Sequence, residues 1–176
     1  MNISYTTVTL HDAFRADKFD VFRDLLRSSK KAATGNAANW GNLSNSMSKS
    51  PRWESVAAAM ATHAASSVVN RRDIEGRTTL HLVVSSANSN VPAYIELLLE
   101  SPYININLQD YESGWTALHR ALYVGNLSAA RLLMNRSDCD ATIKDHEGRH
   151  HYSRIHNEHD PMARRLDSTR FMEFDN

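Results

Sequence analysis

This 176-residue chain is short of several things, and each shortage narrows its function. It has one cysteine, Cys139, so no disulfide can close within it, which fits a reducing compartment. No apolar run approaches the roughly 18 residues that a membrane-spanning helix needs. The opening stretch, MNISYTTVTLHDAF, lacks the basic segment and apolar core of a secretory signal. The expected setting is therefore the cytoplasm or nucleus, with no membrane partner. Charge of one sign is not in excess: 20 Lys and Arg meet 20 Asp and Glu, a formal net charge of zero. A nucleic-acid binder usually carries a basic face, so no nucleic-acid partner is expected. Signatures of catalysis are missing too. There is no phosphate-cradling glycine loop, no G-x-S-x-G elbow and no C-x-x-C pair. The expectation is a non-enzyme with no cofactor, no resident metal and no small-molecule substrate. Its hydrophobic fraction of 41% is enough for a modest core in one domain.

What is present is a recurring pattern. The stretch Asp110 to Leu133 reads DYESGWTALHRALYVGNLSAARLL. Gly114 can take positive φ and close a tight turn. Thr116 can cap a helix. Leu118 and Ala121, three apart, share a helix face, with His119 between them. Gly125 suits a left-handed helix end. Leu127, Ala130, Leu132 and Leu133 then form the apolar stripe of a second, antiparallel helix. The same order recurs upstream as Gly76, Thr78, Leu80 and His81, followed by Leu97-Leu98-Leu99. Gly76 and Gly114 are 38 residues apart, and so are His81 and His119. Pro92 fits the first turn of the second helix in that unit. A third turn opens at Asp145-His146-Glu147-Gly148, but Arg149-His150-His151-Tyr152-Ser153 then replaces the capping threonine and the leucine. A weaker copy stands at the start: Leu10, His11 and Ala13 match Leu118, His119 and Ala121, Asp17 takes the place of Gly125, and Leu25-Leu26 ends the unit.

Thr-Ala-Leu-His-Arg-Ala followed by a glycine and a leucine pair resembles the ankyrin repeat, whose signature is T-P-L-H-x-A with a period of about 33 residues. Thr79 and Ala117 stand where the motif has proline. The resemblance implies an all-α ankyrin-repeat solenoid of about three repeats, two clear and one degenerate at the N-terminus. Residues 1–28 are read as the degenerate repeat, with helices over 9–16 and 19–28, an unrelated amphipathic helical hairpin being the alternative. Residues 29–69 read as a flexible polar insertion, with Trp40 as a loop residue partly tucked on the surface, a short docking motif being the alternative, and a helix expected over 51–66. In that helix Trp53, Val56 and Met60 share one face. Residues 70–148 carry the clear repeats. Residues 149–176 form an atypical tail, with a helix expected over 161–171.

The run QDYESGWTALHRALYVGNLSAARLL, with Ser113 as an extra residue ahead of Gly114, is more specific. It resembles the ankyrin region of the family that includes the inhibitor of Bruton's tyrosine kinase and its fungal relatives, best over 73–148. That family joins ankyrin repeats to a beta-propeller and BTB domains, and its BTB domains engage a cullin scaffold. The resemblance implies a protein-recognition part of a ubiquitin-ligase adaptor. No propeller or BTB sequence lies within these residues, and from Arg149 on the chain departs from the family's continuation. A general ankyrin scaffold unrelated to ubiquitination is the alternative.

Ankyrin repeats meet protein partners through their hairpin tips and the exposed side of each first helix. By register these positions are Ile74, Glu75 and Arg77, then Tyr111, Glu112, Trp115, Arg120 and Tyr123. Tryptophan, tyrosine and arginine are enriched among residues that dominate binding energy. The alternative for Trp115 is packing against the neighbouring hairpin, and Arg120 is placed to pair with Glu112. His11, His81 and His119 are read as interior histidines linking adjacent repeats. The group His146, His150, His151, His156 and His159 raises zinc binding by the tail as a weaker alternative, although no cysteine pair or H-E-x-x-H spacing accompanies it.

Overall fold

The computed structural model describes residues 8–39 and 51–150, with the backbone alone at 32–39, 51–58 and 61. Among the described residues seven helices follow one another: α1 (Leu10–Arg15), α2 (Phe19–Asn39), α3 (Pro51–Val69), α4 (Thr79–Val84), α5 (Val91–Leu99), α6 (Ala117–Tyr123) and α7 (Leu127–Met134). Three of them are short, of six or seven residues, and form an inner layer in which α1 stacks on α4 and α4 on α6. The outer layer runs α2, α5, α7. Among the described residues there is no strand, only isolated antiparallel bridges at Arg72 with Thr78 and Lys144 with His150. The architecture is the all-α stack of helix pairs expected from the sequence. The expected helix over 161–171, Trp40 and the histidines at 151, 156 and 159 lie outside the described residues.

Local chemistry sets each element. Thr9 caps α1 by accepting the Asp12 N–H, and the Asp12 carboxylate takes the Thr9 N–H in return. Thr116 caps α6 in the same manner with His119 as the returning group. Asn126 accepts the Ala129 N–H at the start of α7. Pro92 lies in the first turn of α5, where its missing N–H costs nothing. Gly125 ends α6 at φ 72°, and Asp17 does the equivalent after α1 at φ 50°, a region unfavourable for a residue with a Cβ.

That strain is held by a contact. The Asp17 carboxylate accepts hydrogen bonds from Tyr94 Oη at 3.0 Å and Asn88 Nδ2 at 2.9 Å. Tyr94 is fully buried, and Phe14, Phe19 and Phe22 meet its ring edge-on with centroids 4.9–5.0 Å away. Burial and the Asp17 bond push its phenol up to about 12. This cage welds the first helix pair to the second, so α1 and α2 are part of the stack.

The stretch after residue 28 departs from expectation. Helix α2 does not stop there but runs without a break to Asn39. Lys30, Lys31, Ala32 and Ala33 are strong helix formers, and α3 packs along α2, which carries the helix through Gly35. Helix α3 extends to Val69 and buries Ala65 and Val69, whereas Met60 is exposed. The residues that lengthen the second repeat also contribute to the core. Ile104 and Ile106 are buried in the link between α5 and the next turn.

Candidate functional site

Three hairpin turns project from one edge of the stack, and each is built on a buried or half-buried aspartate. The Asp73 carboxylate accepts the Glu75 and Arg77 N–H groups at 3.0 and 2.9 Å. Asp145 does the same for Glu147 and Arg149. Asp110 accepts Ser113 N–H at 2.8 Å and Trp115 N–H at 3.3 Å across the longer turn that Ser113 creates. Each aspartate also needs a cation. Arg77 covers Asp73 at 3.0 Å and Arg149 covers Asp145 at 3.2 Å. Trp115 occupies the corresponding place in the middle hairpin, so the arginine comes instead from helix α6: Arg120 binds Asp110 at 2.9 Å.

This corrects the expected pairing of Arg120 with Glu112. A carboxylate enclosed by its own turn leaves a fixed buried charge to neutralise, whereas Glu112 is exposed to water. Burial opposes ionisation of Asp110, but the Ser113 N–H, Arg120 and the Trp115 N–H outweigh it, and its carboxyl titrates below the ordinary range. The aspartates were missed as a set by sequence reasoning. The signal was available as an aspartate three or four residues ahead of each turn glycine.

The predicted partner-facing residues come together on this edge. Tyr111 is 64% exposed with the Arg72 guanidinium over its ring at 5.1 Å, and Ile74 is 96% exposed. Trp115 is half-buried, its ring centroid 4.8 Å from that of Tyr123, and Arg120 lies over the Trp115 ring at 5.7 Å. Tyr123, at 60% exposed, and Val124 continue the patch along α6. Arg77 is less available, being held by Asp73 and by Glu75 at 2.5 Å.

Beneath the tips runs a ladder of histidines. His81 accepts the Thr78 N–H on Nδ1 at 3.1 Å, which leaves the proton on Nε2 to donate to the Trp115 carbonyl at 3.0 Å. His119 takes the Thr116 N–H on Nδ1 at 3.3 Å, as His81 does in the preceding unit. His11 has Val8 where the others have threonine, and its Nδ1 is met instead by the Thr79 hydroxyl of the next unit at 3.1 Å. Its Nε2 donates to the Arg77 carbonyl at 3.1 Å. The hydroxyl of Thr79 is therefore used where the motif's proline would offer none. Burial lowers the pKa of all three rings, that of His81 to about 4.

The family described as ankyrin repeats (3 copies) matches residues 53–145, more than half of the chain. The chain belongs to the ankyrin-repeat family. Over 82 residues it is 46% identical to the BTB/POZ domain-containing protein 1 of Schizosaccharomyces pombe, a stretch that covers 46% of this chain and 6% of that protein. It is 34% identical over 77 residues to the human inhibitor of Bruton tyrosine kinase, covering 44% of this chain and 5% of that protein. A probable 26S proteasome regulatory subunit p28 of Saccharomyces cerevisiae is 36% identical over 76 residues, covering 42% of this chain and 32% of the subunit. The chain thus spans only a small part of the BTB-containing relative and of the kinase inhibitor.

The ankyrin fold is a non-catalytic interaction fold, and its repeats imply protein partners. Within it, the positions read as the motif sit as the motif requires: Thr78, Leu80, His81, Thr116, Leu118, His119 and Ala121 are buried, and Gly76 and Gly114 take φ of 77° and 69°. Among the described residues no group of three or more His, Cys, Asp or Glu side chains is placed to hold a metal ion. His146 packs against Gly114, and His150 bridges back to Lys144.

Proposed function

We propose that the edge formed by the hairpin tips and α6 binds a protein partner, and that this binding serves recognition in a BTB- and cullin-type ubiquitin-ligase adaptor. The observation that carries the first part is the paired Trp115 and Tyr123 rings, with Arg120 lying over the Trp115 ring and held by its bond to Asp110. An aromatic surface ordered before binding loses little side-chain entropy on contact. Tyr111 and Glu112 extend it along the middle hairpin, and Arg77 borders it on the preceding one. Arg120 acts mainly by holding Trp115, since its charge is matched by Asp110.

Likeness to BTB-containing relatives supports the adaptor part. Partner capture followed by mass spectrometry, repeated with Tyr123→Ala, tests the surface. A buried aromatic anchor contributes about 2 kcal/mol, so capture should weaken roughly 30-fold while the melting temperature holds. Wild-type capture by both Tyr123→Ala and Tyr111→Ala would refute the surface. For the adaptor part, a captured partner should turn over more slowly when cullin activity is blocked. Unchanged turnover would refute that part and leave the binding surface standing.

A further inference from the structure

The three hairpins are copies of one another, so two of them show how the third can be used. Each of the first two receives the next hairpin through three contacts. The first is a ring on a glycine: a Cβ on Gly76 would overlap the Tyr111 ring, and one on Gly114 would overlap the His146 ring. The second is a backbone bond to the carbonyl ahead of that glycine, Tyr111 N–H to Glu75 at 2.9 Å and His146 N–H to Ser113 at 3.0 Å. The third comes from the side chain just ahead of the turn aspartate. Arg72 donates to the Gln109 carbonyl, and Gln109 Nε2 donates to the Lys144 carbonyl at 2.8 Å. In both cases the accepting carbonyl lies two residues ahead of the ring-bearing residue.

The last hairpin carries the same three elements. Gly148 has φ 74°, is exposed, and a Cβ placed on it meets no atom of the described residues within 4 Å. Glu147 supplies the carbonyl ahead of it, and Lys144 is an exposed donor at the position of Arg72 and Gln109. The turn itself is fully formed by Asp145 and Arg149, so these elements are held in place.

We infer that the 144–150 hairpin is a second protein-binding site, which takes a turn segment of a protein partner bearing a planar side chain. The ring of that segment covers Gly148, its N–H donates to the Glu147 carbonyl, and its carbonyl two residues earlier accepts from Lys144. The segment is of the kind that this chain itself presents in Asp110-Tyr111 and Asp145-His146. The inference does not depend on the aromatic patch around Trp115.

The probe is a cyclic peptide carrying the sequence of residues 108–116, titrated into the full chain while the Gly148 NMR signals are followed. A ring stacked on the glycine moves its α-proton signals upfield, saturably. The same peptide with alanine in place of its tyrosine should lose that shift. Gly148→Asn tolerates positive φ but fills the open face, and should weaken binding about tenfold or more with the melting temperature held. Lys144→Ala should weaken it several-fold. No saturable Gly148 shift up to about 10 mM peptide, or equal binding by Gly148→Asn, would overturn the inference.

Discussion

Tyr94 offers the sharpest test of how the first helix pair is attached. Truncation to alanine removes a fully buried ring together with three edge-on partners and one charge-assisted hydrogen bond. Large-to-small changes of this kind cost about 3–5 kcal/mol, and each aromatic pair adds about 0.5–1.5 kcal/mol beyond its buried area. Small domains hold only about 5–15 kcal/mol in total. Tyr94→Ala should therefore release α1 and α2 from the stack, if it folds at all. Tyr94→Phe is the finer instrument, because it keeps the ring and deletes only the hydroxyl that meets Asp17. A hydrogen bond to a charged group contributes about 1.5–3 kcal/mol. Asn88 still holds the carboxylate, which places the expected loss near the lower end. Urea denaturation of Tyr94→Phe, Asp17→Asn and the double variant gives the coupling between the two groups. Hydrogen exchange should show lost protection in α1 and α2 ahead of α6 and α7. A coupling energy near zero, with exchange in α1 unchanged, would show that the contact does not join the two units and that the left-handed turn at Asp17 is held by something else.

Acid should loosen the stack through His81. Its folded pKa of about 4 lies below the ordinary imidazole value of about 6.5, so the unfolded chain takes up the proton first. Stability is then full above pH 6.5 and falls by about 3 kcal/mol as the pH drops to 4; His81→Gln should flatten that part of a melting-temperature profile, and an equally steep profile in the variant would refute the assignment. Leu118→Ala should destabilise by about 2–5 kcal/mol, since Leu118 is only 3% exposed in the core beneath the middle hairpin. A melting curve identical to wild type would show that the repeat register is wrong.

Arginine placement shows why a contact can be hidden from sequence. Arg77 and Arg149 follow their turn glycines directly, and each returns to the aspartate of its own hairpin. The middle turn has one extra residue and a tryptophan in that place, and the required cation is ten residues away from its aspartate, on the next helix. Electrostatic demand is constant across the three turns; only the fold decides which side chain meets it. The exchange also frees the tryptophan to pack on Tyr123, which links the shape of the turn to the surface proposed for binding.

The sequence alone determined the repeat. Glycine, threonine, leucine and histidine at fixed offsets encode turn, cap, core and inter-repeat bond locally, and these offsets survive in one dimension. It also determined that the tips would carry Ile74, Tyr111 and Trp115, because register follows directly from the glycines. What it did not reveal depends on distant partners. The continuation of α2 to Asn39 comes with packing against α3, which outweighs the polar, glycine-containing composition of that stretch. The Tyr94 cage joins residues 71 to 80 positions apart, and no periodicity in either segment announces it. Met60 faces water although its spacing suits an apolar face, because which face of α3 is covered depends on where α2 lies. Local propensity and spacing fix what each segment can be, whereas side-chain partners across the stack are chosen only when its layers close on one another.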